Sequence, residues 1–182
     1  MFSQFAKVGR ALFDEGLVSS HSGNLSIRQG DRLYITQRGC PLGAIRRTDV
    51  VETHLDRNTR STPRASSELP VHRAIYLKSS AQAIVHAHPS HAVALTFVEH
   101  ELVPDDIEGR TALPRIPVIG EERLSGPGEL CDEIAEALCH SRVVLVKGHG
   151  SFAIAQFLEE AYYLTSVLEQ SCRILFLLRT LR

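Results

Sequence analysis

Apolar side chains recur at near-helical spacing through the opening of the chain, at Phe2, Phe5, Ala6, Val8, Leu12 and Phe13, and the pattern stops at Gly16. This predicts an amphipathic first helix. Two short alternating runs, Asn24 to Arg28 and Arg32 to Thr36, bracket Gln29-Gly30-Asp31 and read as an antiparallel hairpin. The polar stretch from Asp56 to Arg64 is a loop that delivers Ser66-Ser67-Glu68 to a helix running towards Tyr76. Either serine is placed to cap that helix, and Pro70 suits its first turn. Ala83 to Ala87 predicts a short buried strand, and Ser90 to Val98 a helix after Pro89.

From Glu99 to Pro127 the chain is acidic and punctuated by proline, mostly loop, with one strand near Ile116 to Ile119. A helix from Gly128 to His140, a β-branched strand from Val143 to Val146, a turn at Gly148-His149-Gly150, a strand from Ser151 to Ala155 and a long helix from Leu158 to Leu181 complete the reading. Such a mixture predicts an α/β layered domain with helices covering a mostly antiparallel sheet. With no boundary or repeat in the pattern, residues 1–182 are expected to form a single domain. The last helix carries more apolar residues than one stripe needs, among them Tyr163, Leu164, Leu168 and Leu175, which points to burial on more than one side and to a homo-oligomer.

Composition narrows the function classes. The 182 residues are 43% hydrophobic and 23% charged with a formal net charge of -1, so no basic footprint for a nucleic-acid backbone is present. The apolar tract from Ile174 to Leu178 is far shorter than the roughly 20 residues that cross a bilayer, so no membrane partner is expected. Four scattered cysteines without CxxC spacing and the lack of a charged-then-apolar leader fit a reducing cytoplasm.

The chemistry gathers at histidine. His86 and His88 stand two apart in a strand-like run, so both side chains leave the same face of the sheet. His149 follows another strand and lies between two glycines, which free the backbone and leave room beside the ring. Three imidazoles with an open fourth position form a site for a divalent metal, zinc first, that polarises a substrate oxygen, and Glu68 can fill or flank that position. His72, one helical turn after Glu68, either orients it or faces solvent. His91 is a candidate for the shell behind the ligands, and His21, His54, His100 and His140 read as loop or surface residues.

Ser22-Gly23-Asn24, Thr36-Gln37-Arg38-Gly39 and Ser66-Ser67 offer hydroxyls, amides and exposed backbone N–H groups at strand and helix ends. Each alone is an ordinary turn or cap. Because Glu68 follows Ser67 directly, an anion held at that helix end lies close to the metal, and Arg38 adds a bidentate-capable charge. A small phosphorylated, sugar-like substrate gripped at both ends fits this arrangement.

With these residues the chain resembles the class II aldolase/adducin family, through Gly23-Asn24-Leu25-Ser26, Ile35-Thr36 to Gly39, Ser66-Ser67-Glu68 with His72, Val85-His86-Ala87-His88 with His91, and Gly148-His149-Gly150. The resemblance implies a three-layer α/β/α fold around an antiparallel sheet and a homotetramer with sites near subunit interfaces. It implies that His86, His88 and His149 bind zinc, that Glu68 is the catalytic acid/base and approaches the metal in the resting site, and that Asn24, Gly39, Ser66 and Ser67 hold phosphate. The implied reaction is cleavage of a fuculose-1-phosphate-like ketose 1-phosphate to dihydroxyacetone phosphate and an aldehyde, through a metal-stabilised enediolate.

The chain departs from that pattern in two places. The family's sugar-phosphate aldolases use a tyrosine after the paired histidines, and here none lies between Tyr76 and Tyr162; Asp105, Asp106 and Glu108 are the carboxylates available in its place. Arg38 replaces a small residue of the phosphate loop, pointing to a different or additional anionic group. A family dehydratase acting on a methylthioribulose-1-phosphate-like substrate and a pentose-phosphate 4-epimerase are therefore alternatives. A non-catalytic adducin-like interaction module is a third, although the ligand set and Glu68 are all present.

Overall fold

The computed structural model describes residues 1–120 and 127–181. Helix α1 (Phe2–Asp14) leads into strands β1 (Asn24–Gln29), β2 (Arg32–Thr36) and β3 (Val50–His54). Next come α2 (Leu69–Lys78), β4 (Ala83–Ala87), α3 (Ser90–Leu95), β5 (Glu101–Leu102), α4 (Ile107–Ala112) and β6 (Ile116–Ile119). The chain closes with α5 (Pro127–His140), β7 (Val143–Val146), β8 (Gly150–Ala155) and α6 (Leu158–Thr180).

The strands form one sheet in the order β3-β2-β1-β4-β8-β7-β6-β5. Neighbours are antiparallel except β6 and β7, which run parallel. Strand alternation sends Leu25, Val85, Leu145 and Ala153 into a core beneath α1, α3 and α6, and Ile35, Ile84, Val144 and Phe152 into a second core beneath α2 and α5. The result is the expected three layers, each face of the sheet closed by helices because each carries its own apolar row.

Register positions the chemistry. Asn24 on β1 lies opposite His86 on β4, and His86 lies opposite Phe152 on β8, so the three stand in one cross-strand row. They share the α2 face with Ile84, two residues before His86.

Four features differ from the sequence reading. Strand β3 is absent from it; its buried Val51 and Thr53 alternate with outward Glu52, but five residues between polar loops carry little signal. The segment after Glu99 contains a second strand, β5, and the helix α4 as well as loop and β6, with α4 capped by Asp106, whose Oδ1 accepts from the Gly109 N–H at 2.7 Å; its last part, 121–126, lies outside the described residues. Helix α3 ends at Leu95 rather than Val98. Neither Ser66 nor Ser67 is the N-cap of α2: the cap position is Glu68, and Ser66 Oγ instead accepts from the Glu68 N–H at 3.2 Å.

Helix α1 sits against the turn at Leu42–Ala44 through Gly9, where an added Cβ would come within 2.5 Å of the Leu42 carbonyl oxygen and 2.6 Å of Ile45 Cδ1. Gly9→Ala is expected to cost about 1–3 kcal/mol through overpacking, lowering Tm by roughly 5 °C; a thermal melt showing no decrease would mean that α1 yields at this contact.

Candidate metal centre

The three histidines arrive from two directions. His86 is the penultimate residue of β4 and points to the α2 face, while His88 lies just past the strand end, where its N–H donates to the Leu17 carbonyl at 2.8 Å. His149 sits in the turn between β7 and β8. Gly148 turns the chain there with φ +67°, and Gly150 has no room for a side chain, since a Cβ would lie 2.4 Å from the Ala87 carbonyl oxygen and 2.7 Å from the His88 ring. The two glycines therefore have separate duties, one conformational and one steric.

One donor nitrogen from each of His86, His88 and His149 falls within 4.8 Å of the other two, the spacing of a group that can hold a metal ion. The ring centroids are 4.8 to 5.1 Å apart. His86 is fixed most firmly: its Nδ1 donates to the Ser151 carbonyl at 2.9 Å, and Phe152 stacks on its ring at 4.2 Å. A carbonyl only accepts, so Nδ1 carries the proton and the Nε2 lone pair faces the cluster, 2.9 Å from His88 Nε2. This donor chemistry fits a divalent transition metal such as zinc.

Glu68 bridges the group. Its Oε2 lies 3.1 Å from His86 Nε2 and its Oε1 3.4 Å from His149 Nε2, with the side chain 20% exposed. Burial drives the His86 imidazole well below its ordinary range, with His88 and His149 adding to the effect, and burial followed by His149 lowers His88 as well. Both shifts favour the neutral ring, the form that binds metal. The cluster opens to the surface through His149, whose side chain is 41% exposed. A cavity of about 520 Å³ lies elsewhere, beside Arg115, His140 and Arg142, and is lined by none of these histidines.

The phosphate-loop candidates also come together. The Ser66 N–H donates to the Thr36 carbonyl and the Arg38 N–H to the Arg64 carbonyl, each at 3.0 Å, and Gln37 bridges to Ala65. The loop of Arg38 and Gly39 therefore lies along the segment carrying Ser66 and Ser67. Gly39, with φ +66°, has open space where its side chain would be, and Arg38 and Ser67 are exposed. Asn24, by contrast, is turned to Glu68, donating from Nδ2 to Oε2 at 2.8 Å.

Other candidates are engaged elsewhere. His91 Nδ1 donates to Glu169 at 2.7 Å, the same carboxylate accepts from the His91 and Ala92 N–H groups, and the ring packs on Phe176; it ties α3 to α6 rather than backing the ligands. Asp106 caps α4, and Asp105 pairs with Arg110 at 3.1 Å. His54 is part of β3, beside Asp31. His72 is fully buried and bonded to Asn24 and Ser26, not solvent-facing. Ser26 and Tyr76, which join that network, escaped the sequence reading. Their signal lay in spacing, two residues after Asn24 on a strand and four after His72 on a helix.

The chain is similar to known proteins of more than one activity. The L-fuculose phosphate aldolase of Methanocaldococcus jannaschii is 31% identical over 96% of this chain and 94% of its own. The crystal structure of L-fuculose-1-phosphate aldolase from Thermus thermophilus superposes with a TM-score of 0.92 at 37% identity, covering 98% of this chain and 94% of that one. A 3-oxo-tetronate 4-phosphate decarboxylase of Haemophilus influenzae is 26% identical over 95% of this chain and 85% of its own. The family model described as the Class II Aldolase and Adducin N-terminal domain matches residues 3–176, and the chain belongs to that family.

Proposed function

We propose that this protein is a zinc-dependent aldolase that cleaves a ketose 1-phosphate resembling L-fuculose 1-phosphate into dihydroxyacetone phosphate and an aldehyde. One observation carries the reading: three ring nitrogens within 4.8 Å of one another, with the Glu68 carboxylate 3.1 and 3.4 Å from two of them. His86, His88 and His149 would hold the metal. Bound there, it supplies a Lewis acid for the carbonyl and neighbouring hydroxyl oxygens of the substrate and stabilises the charge that develops as the C3–C4 bond breaks.

The protein's own groups do the rest. Ser66, Ser67, Arg38 and the Gly39 backbone receive the phosphate, with Asn24, whose amide is bonded to Glu68, as a further proposed partner. Cleavage removes the proton of the C4 hydroxyl and requires a proton at C3, and Glu68 is the acid/base that returns it. The solvent-facing side of the cluster, at the 41% exposed His149 side chain, would admit the aldehyde half. A homotetramer in the cytoplasm, with neighbours completing the rim, is the assembly we expect, and with no tyrosine after the paired histidines the group that takes the proton from the C4 hydroxyl is another residue.

The reaction is tested by incubating zinc-loaded protein with L-fuculose 1-phosphate and assaying dihydroxyacetone phosphate with a coupled reductase. Product should form, and Glu68→Gln should lower kcat by about 10²–10⁴-fold while retaining zinc. Decarboxylation or dehydration products without triose phosphate would move the chain to another branch of the family.

Metal uptake gives a second prediction. Because burial lowers both His86 and His88, zinc binding at pH 6.5 should displace fewer protons than the roughly one that two ordinary imidazoles would release. Titration calorimetry in buffers of different ionisation enthalpy measures this number; release of about one proton or more would contradict it.

A further inference from the structure

From Glu68 inward, four more side chains continue a single hydrogen-bonded file. Asn24 Nδ2 donates to Glu68 Oε2 at 2.8 Å, and His72 Nε2 lies 2.6 Å from Asn24 Oδ1. Ser26 Oγ lies 2.6 Å from His72 Nδ1, and Tyr76 Oη 2.8 Å from Ser26 Oγ. Ser26, His72 and Tyr76 are at most 1% exposed, so they must satisfy one another rather than bulk water. The file joins β1 to α2 and leads away from the ligands, and the catalytic reading given above uses only its outer end.

Proton positions along it follow from donor and acceptor chemistry. An ionised carboxylate only accepts, so the NH₂ of Asn24 faces Glu68 and its carbonyl oxygen faces His72. That oxygen also only accepts, so His72 Nε2 carries the ring proton. His72 Nδ1 is then a bare acceptor, which Ser26 must satisfy by donating, and Ser26 Oγ in turn accepts from Tyr76. Burial pushes the His72 imidazole down to about 3, consistent with a neutral ring. The opposite polarity would turn the Asn24 carbonyl onto the Glu68 carboxylate, oxygen against oxygen.

We propose that His72 is a positioning residue: held by Ser26 as the Nε2–H tautomer, it locks the Asn24 amide in the one orientation that donates to Glu68 Oε2, and so fixes the rotation of the catalytic carboxylate. The effect on catalysis rests on the aldolase reading. The file itself does not. A residue that merely filled the core would need neither a defined tautomer nor a donor nitrogen at this place.

The test uses the full-length protein with ¹⁵N-labelled histidine at pH 7, together with His72→Leu and His72→Gln. Wild-type His72 should show a protonated Nε2 and a bare Nδ1. On L-fuculose 1-phosphate, His72→Leu should lose about 10- to 100-fold in kcat with KM within about twofold and unchanged zinc content. His72→Gln, whose amide can still donate to Asn24, should recover most of that loss. If His72→Leu does not fold, Ser26→Ala replaces it, and wild-type kcat in that variant overturns the proposal. A wild-type His72 protonated at Nδ1, alone or with Nε2, also overturns it, as do equal kcat values for the leucine and glutamine variants. Should no sugar phosphate be cleaved at all, the aldolase reading falls, and the tautomer measurement decides the file on its own.

Discussion

Three imidazoles with centroids about 5 Å apart cannot all carry charge in a half-buried site, and the rest of the molecule is arranged around that constraint. Burial beside Phe152 lowers the His86 imidazole well below its ordinary range, while the Ser151 carbonyl, by accepting from Nδ1, directs the free Nε2 lone pair at the other two rings. In the absence of metal such a gathering is costly, because bare lone pairs converge with few protons among them; a divalent cation relieves that directly. Glu68 adds a negative group that can partner the cation or the substrate but not the uncharged rings alone.

The sheet makes this gathering possible. Its two faces are not equivalent: one receives an almost wholly apolar row under α1, α3 and α6, while the other interrupts its apolar row with Asn24, Ser26 and His86. Polar residues survive there because they satisfy one another through α2, which contributes Glu68 at its start, His72 after one turn and Tyr76 after two. A short helix thus supplies Glu68 and its buried support. His149 must come from the next turn, where only glycine on the His86 side avoids collision.

Much of this is legible in the sequence. Strand β4 and the β1–β2 hairpin follow from alternation, the gathering of His86, His88 and His149 from their strand spacing and flanking glycines, and α6 from the length of its apolar pattern. What escapes is whatever depends on a partner distant in sequence. Periodicity places His72 on a helix but cannot tell which face of that helix meets β1, so a buried histidine reads the same as an exposed one. The serines before Glu68 resemble caps, yet the backbone delays the helix until Leu69 and gives the cap position to Glu68 itself. His91 reads as support for the ligands because it is near them in sequence, whereas Glu169, 78 residues away, claims it. Strand β3 and helix α4 are too short for a periodic signal and are stabilised by what they pack against.

That the histidine cluster holds a metal is the claim on which the function depends, and elemental analysis of the purified protein tests it most directly. Wild type and a His86→Ala, His88→Ala double variant would be prepared side by side, with and without added zinc. About one zinc per chain in the wild type, absent from the double variant, is the predicted result. A wild type that remains metal-free after zinc is supplied would contradict it and leave the cluster without the ion around which this site is organised.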